Sequence, residues 1–211
     1  MRHFLLCLGL TVLSAHADLD TAPLRAWLEA QKKVQSLDAD FTQERTLPAL
    51  KKPVSTPGRL TLSKPGKLRW DLGTPPKTIA VSDGETITLI DVEKKRAMRL
   101  DADSSRARSF TLLGDKALSG GLDGFTEAFE LVESRVTEGI YQLTTRPKDR
   151  RMRDKVDYVF FDIDPKTQQL RALELRLDDK SRIRTIFRNT RLNAKVEADR
   201  FAVDLSGFKI H

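Results

Sequence analysis

From Thr56 to Asp91 the chain reads TPGRLTLSKPGKLRWDLGTPPKTIAVSDGETITLID, four short runs that alternate apolar and polar residues. Lys64-Pro65-Gly66, Gly73-Thr74-Pro75-Pro76 and Asp83-Gly84 separate them. Alternation with a period of two places successive side chains on opposite faces of a strand. Leu60/Leu62, Leu68/Trp70/Leu72, Ile79/Val81 and Ile87/Leu89 are therefore expected to form one apolar wall, with Arg59, Thr61, Lys67, Arg69 and Asp71 turned away. A one-faced antiparallel meander must cover that wall, with a second layer of protein or with a ligand. Which of the two it uses decides the function.

The first 17 residues, MRHFLLCLGLTVLSAHA, have a basic start, an apolar run from Phe4 to Leu13 and an Ala-His-Ala site, the anatomy of a secretory signal peptide. The apolar run is too short to span a bilayer. A lipoprotein signal would need a Cys after that run, and Cys7 lies inside it. The expected mature chain, residues 18–211, is a single domain of 194 residues with a net charge of +6, and it contains no cysteine. Export makes nucleic acid the least suitable partner for a basic surface, leaving anionic lipid or an acidic protein.

His3 and His16 fall within the signal and His211 is the last residue, so no internal histidine is available as base or ligand. Without Cys or His, Ser/His/Asp and Cys/His arrangements and an ordinary zinc site are out of reach. The pairs Asp38/Asp40, Asp101/Asp103, Asp162/Asp164 and Asp178/Asp179 read as polar strand faces and turns in preference to paired catalytic acids. No catalytic residue, metal or cofactor is expected.

Thr21-Ala22-Pro23 begins a helix, with Leu24, Trp27, Leu28, Gln31 and Val34 on one stripe. Leu37 to Gln43 then reads as a strand that adds Phe41 to the wall. Further strands are expected at Phe129 to Val132, Gly139 to Thr145, Val156 to Ile163, Gln169 to Leu177 and Arg182 to Asn189. Phe110, Leu112, Leu113 and Leu118 give an uneven helical stripe interrupted at Gly114 and ended at Gly120-Gly121, which predicts two short helices with a hinge.

The order of these pieces resembles a known family. A helix, then Asp40-Phe41-Thr42-Gln43-Glu44, Gly58-Arg59-Leu60-Thr61-Leu62, Lys64-Pro65, Leu68-Arg69-Trp70, a Pro pair and Ser82-Asp83-Gly84 are similar to the LolA family of periplasmic carriers of outer-membrane lipoproteins. The resemblance implies a mainly β fold with some α, an unclosed antiparallel half-barrel whose apolar face is lidded by helices. It implies acyl chains of lipoproteins as cargo, an inner-membrane release complex and an outer-membrane acceptor as partners, and a monomer in the periplasm. The implied cavity residues are Phe41, Leu60, Leu62, Leu68, Trp70, Ile79, Val81, Ile87 and Leu89, with Phe110, Leu112 and Leu113 on the lid. Lys64, where well-known members have Arg, takes the place of the residue that locks the lid, and Lys lacks the planar fork of Arg. Asp199 to Asp204 resembles the closing strand. An apolar wall specifies chains and not headgroups, so a glycolipid or lipid-linked pigment is an alternative cargo, and a lipid-sensing adaptor resembling RseB an alternative role. The basic run Arg146, Lys148, Arg150, Arg151, Arg153 and Lys155 reads as solvated surface or as a docking patch for an acidic partner or anionic headgroups.

Overall fold

The computed structural model describes residues 19–101 and 120–211. Helix α1 (Ala22–Lys32) carries Pro23 in its first turn and buries Leu24, Trp27 and Leu28, the i, i+3, i+4 stripe seen in the sequence. Strands β1 (Ser36–Thr46), β2 (Val54–Ser63), β3 (Lys67–Leu72), β4 (Thr78–Asp83), β5 (Thr86–Asp91) and β6 (Arg96–Asp101) follow as an antiparallel meander. Helix α2 (Gly121–Ala128) leads into β7 (Phe129–Thr137) and β8 (Ile140–Pro147). The one-turn helix α3 (Arg150–Arg153) precedes β9 (Val156–Asp164), β10 (Gln169–Leu177) and β11 (Arg182–Leu192). A 3-10 turn at Ala198–Phe201 and the two-residue β12 (Lys209–Ile210) complete the described chain.

The twelve strands of the described residues belong to one sheet, in the order β12-β6-β5-β4-β3-β2-β1-β11-β10-β9-β8-β7. β1 and β11 join the two meanders at the centre, and β7 and β12 stand at the two edges, so the sheet is an open half-barrel.

Register assigns every side chain to a face, because directly opposed residues of antiparallel strands share one. On the front face run the rows Leu62, Leu68, Ser82, Ile87, Leu100 and Leu60, Trp70, Ala80, Leu89, Met98. On the back run Thr61, Arg69, Val81, Thr88, Arg99 and Arg59, Asp71, Ile79, Ile90, Ala97. Ile79 and Val81 thus lie on the face opposite to Leu68 and Trp70, which corrects their expected place in the wall. The register set by the Gly73–Lys77 connection puts Ala80 and Ser82 on the front, and a shift of one residue exchanges the two faces of a strand.

The back of β4–β6 is covered by the C-terminal segment. Phe201, Val203, Leu205 and Phe208 pack on Val81, Ile90 and Ala97, and β12 pairs in parallel with β6. Asp199–Asp204, expected as a closing strand, is a 3-10 turn followed by an extended crossing over that face. Its side chains cap a sheet face where a strand would have extended the edge.

Candidate functional site

The front face carries two apolar clusters of different make-up. In the first, α1 and α2 lie over β7–β10. Leu24, Trp27, Leu28 and Phe125 from the helices meet Phe129, Tyr141, Leu143, Val159, Phe161 and Ile163 from the sheet. Phe161 is at the centre, with ring centroids 5.3 Å from Phe125, 5.6 Å from Phe129 and 6.3 Å from Trp27. The sequence reading missed α2, although Leu122 and Phe125 stand three apart. The paired glycines before them, Gly120-Gly121, read as a terminus of the preceding segment, and Gly121 does take a positive φ of 66°.

The second cluster lies on β1–β3 and β11. Ala39, Phe41, Leu60 and Phe187 are buried, and Leu37, Leu62, Leu68, Trp70 and Leu72 are half-buried around them. Among the described residues, strands alone supply it. Phe41 is its anchor, 4.2 Å from the Trp70 ring centroid and 6.4 Å from that of Phe187. Gly58 makes the seat for Phe41, since a Cβ there would lie 2.1 Å from Phe41 Cζ and 2.5 Å from the Asp71 carbonyl oxygen. Ile87 and Leu89 continue the same face onto β5, Ile87 fully buried and Leu89 half-buried. Phe41, Leu60, Leu62, Leu68, Trp70, Ile87 and Leu89 therefore share one surface. Phe110, Leu112 and Leu113 lie outside the described residues.

Lys64 sits at the β2–β3 turn, where its Nζ donates to the Gln31 carbonyl at 3.3 Å and its backbone N–H donates to the Gln35 carbonyl at 2.8 Å. The cation thus meets a carbonyl in the last turn of α1, where the helix dipole is negative. It ties the helix that roofs the first cluster to the strands that build the second.

Behind the second cluster lies a polar network. Arg59 Nε and Nη2 donate to Asp38 at 2.9 and 3.0 Å, Arg191 donates to the same carboxylate, and Thr61 Oγ1 adds a bond of 3.1 Å. Arg59 foremost holds the Asp38 carboxyl down at about 2, below its ordinary 3.8. Arg200 then links Thr61 Oγ1 at 3.1 Å to Asp71 Oδ2 at 2.8 Å, while Arg69 donates to Asp71 and to the Arg200 and Ala202 carbonyls. This network fastens the C-terminal segment to the back of the sheet. A polar hollow of about 540 Å³ lies beside Asp38, Arg59 and Arg191, and another of about 520 Å³ lies beside Lys33, Ser63 and Asn193. The lining of the hollow beside Asp38 suits water in preference to acyl chains.

Of the basic run, Arg146 lies on the back of β8, its guanidinium carbon 4.7 Å from the Tyr158 ring centroid. Arg150, Arg151 and Arg153 occupy α3, which Asp149 caps by accepting from the Met152 N–H at 3.0 Å. All three are exposed. Among the described residues, no group of three or more His, Cys, Asp or Glu side chains is gathered as a metal site requires.

Fold and face together define an open half-barrel whose inner apolar surface is roofed by the described helices over β7–β10. The chain belongs to the outer membrane lipoprotein carrier protein LolA family, whose model matches residues 32–204. It is 28% identical over 208 residues to an outer-membrane lipoprotein carrier protein of Pseudomonas fluorescens (strain Pf0-1), covering 97% of this chain and 94% of that one. A protein of the same name from Chromohalobacter salexigens is 29% identical over 206 residues, covering 95% and 91%. The solved structure of an uncharacterized conserved protein from Thermus thermophilus shares the fold, with a TM-score of 0.51 at 6% identity over 90% of this chain and 96% of that one.

Proposed function

We propose that this protein is a periplasmic carrier that takes up lipoproteins by their acyl chains and moves them from an inner-membrane release complex to an outer-membrane acceptor. The observation that carries the reading is the second apolar cluster, a continuous wall of Phe41, Leu60, Leu62, Leu68 and Trp70 that the described helices leave to the strands. Transferring a long acyl chain from water to such a wall gains about 0.8 kcal/mol per methylene, on the order of 10 kcal/mol in all. The β2 and β3 part of the wall presents no charged group to a chain, because the charges of those strands are on the back. A surface that grips only by burial also releases when an acceptor offers equal burial. The names of the relatives support lipoproteins as cargo, and the signal-like first 17 residues support the periplasm.

Native mass spectrometry of the mature protein, purified gently from the producing cell, tests the reading. A co-purifying acylated protein, lost in Leu68→Asp while the fold persists, is the expected result. A bound glycolipid or pigment would change the cargo, and a chain that stays empty and binds no hydrophobic dye would refute carriage.

A further inference from the structure

The positive charge of this chain is gathered at one end of the sheet. Five connections emerge there from neighbouring strands: 47–53, 73–77, 92–95, 148–155 and 178–181. They hold eleven lysines and arginines against five carboxylates. The described connections at the opposite end, 33–35, 64–66, 84–85, 138–139, 165–168 and 193–197, hold four against three. The excess is therefore six at one end and one at the other.

Some of these cations are committed. Lys77 pairs with Glu93 at 2.8 Å, Lys180 with Asp157 at 3.5 Å and Lys155 with Asp178 at 4.0 Å. Lys51, Lys52, Lys148, Arg150, Arg151 and Arg153 have no carboxylate within ion-pair distance among the described residues and project into solvent. The ends of adjacent strands lie side by side, so the connections make a rim along one end of the sheet. One of them also shows aliphatic side chains. Leu50 and Val54, 46% and 49% exposed, flank Lys51-Lys52. Two exposed aliphatics with cations between them match the boundary between headgroups and acyl chains, where the charges stay with phosphates and the apolar groups enter. A protein partner would have to leave these cations paired at spacings set by five separate loops, whereas a fluid anionic surface adapts to them.

We infer that this rim is a reversible docking surface for anionic phospholipid headgroups. The inference is independent of cargo, because it concerns a different surface and is tested without any. The mature full-length chain is sedimented with vesicles of phosphatidylethanolamine and phosphatidylglycerol, and with vesicles of phosphatidylcholine alone. Binding is expected to the anionic vesicles only and to fall as salt shortens the Debye length. Each lost charge near the surface lowers partition about fivefold. Arg150→Gln, Arg151→Gln and Arg153→Gln combined therefore lower it on the order of 100-fold, with an unchanged melting temperature because all three side chains are exposed. Leu50→Ser is expected to lower binding several-fold while leaving its salt dependence unchanged. Absence of vesicle binding, equal binding to both vesicle types, or binding that the triple variant does not move overturns the inference. Salt-sensitive association with an acidic protein in the absence of vesicle binding would overturn it too, and would assign the rim to a protein partner.

Discussion

The two halves of the front face are built from the same residue types and are finished differently. Over β7–β10, α1 and α2 seal the sheet, and Leu24, Leu28, Phe125, Val159, Phe161 and Ile163 have no exposed surface. Over β1–β3 the wall is as apolar, yet Leu62, Leu68, Trp70 and Leu72 remain half-buried and strands alone supply the cluster among the described residues. Composition and alternation do not separate a core from a binding wall. The layer placed over them does.

Exchange of side chains between the halves exposes that contrast. Phe161→Ala removes a fully buried ring from the sealed half and is expected to cost about 3–5 kcal/mol, read as a large fall in the denaturation midpoint. Leu68→Asp in the open half is expected to abolish cargo or dye binding while moving the midpoint little, and a midpoint loss equal to that of Phe161→Ala would make the second half an ordinary core. Gly58→Ala sharpens the comparison from within the wall. The new methyl group displaces the Phe41 ring against backbone, at about 1–3 kcal/mol, and dye fluorescence should fall in step with stability. Acid titration probes the back of the same strands. Asp38 titrates at about 2 in the folded state against an ordinary 3.8, so its contribution is complete above about pH 4 and is lost as pH falls toward 2. That contribution is about 1–2 kcal/mol, and Asp38→Asn should flatten the stability profile over this window. Smallest is Lys64→Ala, expected to cost about 0.5–1.5 kcal/mol for one hydrogen bond at a helix terminus, with Lys64→Arg retaining it. A larger change in cargo release than in stability would show that tying α1 to the β2–β3 turn matters to the wall as well as to the fold.

Much of the sheet was legible because strands bounded by Pro, Gly and Asp announce themselves. β10 matches its expected span, and the other expected strands of the second half are longer than read, by as much as five residues at the end of β7. The face assignment of β4 was not legible. Ile79 and Val81 alternate as well as Leu68 and Trp70 do, but both faces of β4 are covered, the front with Ala80 facing Trp70 and the back with the C-terminal segment. Periodicity reports alternation and is silent on which side is in front. The back-face network was hidden for a related reason. Asp38, Asp71 and Thr61 read as solvated polar positions, while Arg191, which bonds to Asp38, and Arg200, which bonds to Thr61 and Asp71, are more than a hundred residues away in the chain. α2 was missed where its short stripe follows two glycines.

The pairing of β12 with β6 bears on how the molecule avoids its own kind. An open sheet offers two bare edges, each able to recruit a strand from another copy. At β7 the edge is interrupted by a bulge between Leu131 and Glu133 and carries Glu130, Glu133 and Arg135. At β6 the guard is Lys209–Ile210, held in place by His211 bonding to Ala97 and Arg99. That guard arrives more than a hundred residues after the strand it protects. Until it docks, β6 is an adhesive edge, and the folding interval before docking is when copies of this chain are most prone to join edge to edge.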